Sequence, residues 1–127
     1  MAKIKRLPDA ELEIMNTLWG APAPLTAAEL EAALPGTPRA RTTLLTLLAR
    51  LEEKGCVARE KQGRGYRYLA VLAREEYLPA ETKSLLGRLF GGSPRNFVAA
   101  LAETDALTEQ DIDELAAYLE ELKKQRG

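Results

Sequence analysis

Histidine is absent from the 127 residues, and cysteine occurs once, at Cys56. The first absence excludes a histidine-based catalytic triad and any His-ligated zinc site. The second excludes an internal disulfide and a Cys-rich metal cluster, and fits a reducing compartment. Aromatic residues make up 6% of the chain, with a single tryptophan, Trp19. No apolar run approaches the ~20 residues needed to cross a bilayer, and the opening MAKIKRLPD lacks the apolar core of a secretory signal. A cytoplasmic location is therefore expected. There is no phosphate-binding glycine loop and no nucleophile–base pair, so neither an enzyme nor a cofactor is expected.

What is present fits a globular chain: 46% hydrophobic and 29% charged residues. The length allows one ordinary domain or two small ones. Net charge is −1, but it is unevenly spread. Residues 1–70 hold 11 Lys/Arg and 8 Asp/Glu, net +3, whereas residues 71–127 hold 7 and 11, net −4. The window 37–67 holds 8 basic and 3 acidic residues, net +5. A basic centre beside an acidic half suits a binding module joined to something else.

The basic window opens with TPRARTTLLTLLARLEEKG, residues 37–55, which carries start and stop signals for one helix over Pro38–Lys54. Thr37 suits the N-cap, Pro38 the first helical position and Gly55 the C-terminal cap. Leu44, Leu47, Leu48 and Leu51 recur at i, i+3, i+4, i+7 and form a buried stripe. At about 100° per residue the other side collects Arg39, Thr42, Thr43, Thr46 and Arg50. Hydroxyls and guanidiniums suit phosphate oxygens and base edges. The plainer reading is a solvated face without acids until Glu52 and Glu53, and the flanking elements decide between the two.

Upstream, Pro8 to Trp19 reads as a helix with Leu12, Met15, Leu18 and Trp19 as its apolar stripe. Trp19 reads as a core anchor in preference to a ligand-stacking residue. The Gly20–Pro24 stretch ends that helix. Thr26-Ala27-Ala28-Glu29 is a capping box opening a short second helix, with Leu30 and Leu34 on its buried side and Pro35-Gly36 as its stop. Helix, tight turn and longer helix outline a helix-turn-helix. After Gly55 the period shifts towards two. Residues 56–61 and 66–71 read as strands around a turn at Gln62-Gly63-Arg64-Gly65. Lys61, Arg64 and Arg67, expected at the hairpin tip around two glycines, make this hairpin a basic wing, a second sign of DNA binding. An ordinary hairpin with a charged, soluble tip is the alternative. Cys56 reads as a small core residue at the strand start.

Beyond residue 71 the chain turns helical: 74–90 with Pro79 inside, a helix capped by Ser93, and a last helix capped by Thr108. Fewer than 60 residues make a marginal core alone. The apolar residues Tyr77, Leu85, Leu89, Phe97, Leu101, Ile112, Leu115, Leu119 and Leu122 either fold back on the first domain or meet a second chain. The second is preferred, because a dimer reads two half-sites where one winged helix reads a short site weakly.

In order and spacing these segments resemble the penicillinase repressor (BlaI/MecI) family of bacterial transcriptional regulators. The likeness runs through Glu11, Ile14-Met15 and Leu18-Trp19; Leu25–Glu29; Thr43, Thr46–Leu48, Arg50-Leu51 and Lys54-Gly55; Gly63-Arg64, Tyr66 and Tyr68; and Glu76-Tyr77, Glu81-Thr82 and Leu89–Ser93. The resemblance implies a homodimeric repressor on a palindromic operator with TACA/TGTA half-sites, serving β-lactam-resistance genes or its own operon. It further implies relief of repression by a membrane sensor metalloprotease. In the family that cut falls between Asn and Phe, and Ala100 and Leu101 occupy those positions here, with Asn96-Phe97 four residues earlier. The paired C-x-C motifs of copper-responsive relatives are absent.

The expected fold is mainly α with a small antiparallel β wing: a winged helix-turn-helix domain over 1–72 and a helical dimerisation region over 73–127. Thr43, Thr46 and Arg39 are expected near base edges, Arg41, Thr42 and Arg50 on phosphates, and Arg64 and Arg67 in the wing. The partners expected are double-stranded operator DNA, a second copy of the chain and the sensor metalloprotease, with no membrane contact. The alternative function is a winged-helix protein-interaction module that never touches DNA.

Overall fold

The computed structural model describes residues 4–36 and 40–127. In chain order the elements are α1 (Asp9–Gly20), β1 (Leu25–Thr26), α2 (Ala27–Ala33), α3 (Arg41–Glu53), β2 (Val57–Gln62), β3 (Gly65–Ala70), α4 (Arg74–Phe90), α5 (Pro94–Ala102) and α6 (Glu109–Arg126). They divide into two compact units, Met1–Thr82 and Lys83–Gly127.

The first unit is a winged helix. Helix α1 packs on α2, α3 and β3, and the sheet is antiparallel throughout with strand order β1-β3-β2. Its core joins Leu7, Ile14, Met15 and Leu18 to Leu30, the four leucines of α3, Cys56, Val57, Tyr68 and Tyr77. All four expected α3 leucines are buried, Leu44 and Leu51 completely. The stripe of α1 lies differently from the expected Leu12, Met15, Leu18 and Trp19. Glu11, Ile14, Met15 and Leu18 are its buried residues, while Leu12 and Trp19 are half-buried. A charged residue masked the period. Glu11 is only 2% exposed, and its carboxylate accepts a hydrogen bond from Lys54 Nζ at the end of α3. Trp19 packs its ring 5.8 Å from that of Tyr77 and donates from Nε1 to the Leu72 carbonyl at 2.8 Å, so it serves as an anchor.

Capping explains several boundaries. Thr26 accepts from the Glu29 amide while Glu29 accepts from the Thr26 amide, the reciprocal box that starts α2. The Thr26 backbone amide, and after it the Thr26 side chain, hold the Glu29 carboxyl below its ordinary pKa. Helix α3 begins at Arg41 with Ala40 extended as its N-cap, later than a start at Pro38; Thr37, Pro38 and Arg39 lie outside the described residues. Its far end closes as expected. Gly55, with φ +80°, lets its own amide reach the Glu52 carbonyl and the Cys56 amide reach the Leu51 carbonyl.

Strand β1 is an element the sequence reading lacked. Two residues are too few for a visible alternation, yet Leu25 pairs with Tyr68 and Thr26 with Arg67, making β3 the central strand. The hairpin loop is the two residues Gly63-Arg64, with Gly63 at φ +60° and Arg64 not positive, the pattern of a type II′ turn.

The boundary between units falls at Thr82/Lys83, ten residues beyond the expected 72/73, because the first two turns of α4 belong to the winged helix. Tyr77, expected in the dimer surface, is instead 1% exposed in this core. Its hydroxyl accepts from the Leu7 amide at 2.8 Å and donates to Glu81 at 3.1 Å, and Arg6 closes the network on Glu81 at 3.0 Å. Burial is the main cause raising the Tyr77 phenol pKa, which keeps it a neutral donor.

In the second unit Ser93 caps α5 through the Asn96 amide, and Thr108 and Asp111 form the box opening α6. Phe90 meets Phe97 edge to face at 5.4 Å. Neither α5 nor α6 holds a buried residue.

The Glu11–Lys54 pair yields a stability prediction. Lys54→Ala leaves a carboxylate buried without its partner and should cost about 1–3 kcal/mol. Glu11→Met removes the charge with its need for a partner and should stay within about 1 kcal/mol of wild type. Urea denaturation of both variants measures the difference, and equal losses would refute the asymmetry.

Candidate nucleic-acid interface

Burial of the leucine stripe turns the other side of α3 outwards. Arg41, Thr42, Thr43, Leu45, Thr46, Ala49 and Arg50 are all exposed. The wing follows directly, because β2 leaves the α3 cap at Val57 and returns through β3. Arg59 braces the two. Its Nε lies 3.2 Å from Glu52 on α3, and its guanidinium sits 4.4 Å from the centre of the Tyr66 ring on β3. Such a cation–π contact contributes about 0.5–1 kcal/mol at an exposed site. Arg59 was not singled out from sequence, since nothing local marks a residue that links three elements.

The charged residues differ in what they can reach. Arg50 and Arg64 are exposed and form no ion pair among the described residues, as is also true of Lys61. Arg64 occupies the wing turn beside Gly63, where the backbone can approach a phosphate closely. Arg41 is committed within the chain. Its Nε and Nη2 donate to the two carboxylate oxygens of Glu31 on α2, at 2.6 and 2.9 Å. The Arg41 hydrogen bond in turn holds the Glu31 carboxyl below its usual range. Arg67 also departs from the expected tip position. It lies in mid-strand, between Thr26 on one side and Glu60 on the other, half-buried, with a buried Nε that has no hydrogen-bond partner. Arg39 lies outside the described residues.

The hydroxyls are also specific in direction. Thr46 Oγ1 donates to the Thr42 carbonyl one turn back at 2.9 Å. Its proton is thereby used, and the side chain offers outward a methyl group and oxygen lone pairs. Thr42 and Thr43 make no such bond among the described residues.

The arrangement is an exposed helical face beside a basic turn, and no group of His, Cys, Asp and Glu among the described residues could hold a metal ion. What it can do is lie in a groove, offering hydroxyls and methyls to base edges while Arg50, Arg64 and Lys61 meet backbone charge. No helix among the described residues is long and apolar enough to cross a membrane.

The chain is similar in sequence to known proteins. The penicillinase repressor family matches residues 7–121. The penicillinase repressor of Bacillus licheniformis is 30% identical over 126 residues, covering 99% of this chain and 98% of that protein. The transcriptional regulator BlaI of Mycobacterium tuberculosis is 31% identical over 129 residues, covering 100% of this chain and 92% of its own. A solution structure of monomeric BlaI from B. licheniformis in complex with the blaP half-operator is 32% identical, covering 61% of this chain and 94% of that one at a TM-score of 0.49. With the match running from the start of the winged-helix core into the last helix, this chain belongs to the penicillinase repressor family.

Proposed function

We propose that this protein is a homodimeric transcriptional repressor that binds a palindromic DNA operator through α3 and its wing. One observation carries the reading: α3 is held from behind by four buried leucines, so Thr42, Thr43, Thr46 and Arg50 face outwards beside the Arg64 turn. Membership of the repressor family supports it. Repression is steric: the bound protein occupies the promoter and excludes polymerase. The work is binding, with no bond made or broken by the protein, and its place is the cytoplasm, where the operator lies.

Within that proposal Thr43 and Thr46 stand at base edges, with Thr42 and Arg50 towards phosphates and Arg64 at the flanking backbone. Arg41 serves a phosphate only after exchanging its Glu31 carboxylate for one.

The second unit supplies the dimer. Leu89 is 65% exposed, Leu119 58% and Ile112 51%, with Phe97 and Leu115 also open; Leu85, Leu101 and Leu122 are half-buried. Full burial of each such side chain is worth about 1.5–3 kcal/mol. A second copy presents the same apolar residues and is the simplest partner to cover them. A two-fold dimer then offers two α3 helices to half-sites about 34 Å apart or a multiple. Relief by a sensor metalloprotease is the further expectation. Both Asn96-Phe97 and Ala100-Leu101 lie within helical α5, so cleavage at either bond requires that helix to open.

Three measurements test the proposal. Binding to duplexes selected from random DNA should separate two roles: Thr46→Ala loses discrimination between sequences, while Arg64→Ala weakens all sequences alike and lowers the salt slope by about one. Identical behaviour of the two variants would refute that division. Glu31→Gln should free Arg41 and remove a nearby anion, strengthening binding severalfold for all sequences and steepening the salt slope by about one; weaker binding would show instead that Glu31 is needed to place Arg41. Finally, Leu115→Lys with Leu119→Lys should give a monomer of about 14.0 kDa in sedimentation and lose the preference for paired half-sites, with α-helical signal retained. An unchanged mass would refute this dimer surface.

A further inference from the structure

The outer face of α3 is less polar than its residue names suggest. Thr42, Leu45, Thr46 and Ala49 stand at i, i+3, i+4 and i+7, so they form one contiguous diamond on the helix. All four are exposed, and Leu45 is 41% exposed, the one large hydrophobic residue open to solvent among the described residues of this helix. Thr46 spends its hydroxyl proton on the Thr42 carbonyl, so its exposed side chain has its γ-methyl group and oxygen lone pairs left to offer. The centre of the face is therefore a patch of methyl groups, flanked by Arg50 and Thr43.

In the major groove a thymine is distinguished from a cytosine by its O4 acceptor and its C5-methyl group, and apolar side chains contact that methyl. Arg50 carries charge and Thr43 a free hydroxyl, so neither explains why a leucine stands in water at this place. The face does not need Leu45 for folding, because the buried stripe is made by the other leucines. We propose that Leu45, supported by the Thr46 methyl group, is a specificity-determining residue that reads the C5-methyl group of thymine in the major groove. This rests on the DNA-binding reading above and adds to it the base class selected by the centre of α3. The ligand is a duplex with thymine under the methyl patch, and the discrimination is for 5-methylpyrimidine against a pyrimidine without the methyl.

The test uses the full chain and a duplex that it selects from a random library. Each thymine of that duplex is replaced in turn by deoxyuridine, which keeps every hydrogen-bonding group and removes only the methyl. For wild type, replacement at one thymine of each half-site should weaken binding about fourfold, the effect of returning one methyl-sized group to water. Leu45→Ala, which keeps the circular dichroism of wild type because the residue is exposed, should bind the parent duplex more weakly and respond to the same deoxyuridine by less than about 1.5-fold. Thr46→Ser, which keeps the hydroxyl and removes the methyl, should reduce the deoxyuridine effect in the same direction. The inference is overturned if no deoxyuridine weakens wild type, or if wild type and Leu45→Ala show the same penalty at every thymine; in both cases DNA binding itself stands. If no duplex is selected above background, the DNA-binding reading fails and this inference falls with it.

Discussion

Helix α3 is gripped along one side only. Leu44, Leu47, Leu48 and Leu51 enter the core against α1, α2 and the start of β2, and each is worth about 1.5–3 kcal/mol when fully buried. A roll of one residue about the helix axis is about 100° and would carry leucines into water and threonines into the core. That penalty sets which residues face outwards. The Gly55 cap ends the helix in a fixed direction, Lys54 pins its last turn to the buried Glu11, and Arg59 ties the wing to Glu52. The outer face and the wing turn are thus held by the same core, which is what a surface needs if it is to be laid against a rigid groove.

The second unit is built on the opposite principle. Its helices are well capped, so each is defined locally by Ser93 and by the Thr108–Asp111 box. Their apolar residues nevertheless stay open, with none buried in α5 or α6. Local order without a core of its own is the condition in which a segment gains most from a second chain. Division of labour follows: one unit supplies a rigid reading surface, and the other supplies an unsatisfied apolar face.

Regular periodicity and capping chemistry were readable from residues. The α3 stripe, the Thr26–Glu29 box, the Gly55 stop, the basic hairpin and the Ser93 and Thr108 caps are all short-range, and the structure has them. Contacts made across long separations were not readable. Glu11 broke the apparent stripe of α1 because its partner is 43 residues away. Tyr77 looked like one more apolar residue of the C-terminal half, although its hydroxyl is spent on Leu7, 70 residues upstream. Arg41 looked free for phosphate because Glu31 lies on another helix. Arg67 was placed at the wing tip since strand register, and not residue type, puts it between Thr26 and Glu60. The direction of the Thr46 hydroxyl is likewise a matter of side-chain geometry that no spacing rule conveys.

The central claim is that the side of α3 opposite the leucines is the surface that meets DNA. Amide and methyl chemical shifts of the full chain, followed while a self-selected duplex is titrated in, test it most directly. The account predicts that the largest changes fall at residues 41–50 and at Gly63-Arg64, with the buried leucines little moved. Changes concentrated on α1 or on α6, with residues 41–50 unaffected at saturation, would contradict it.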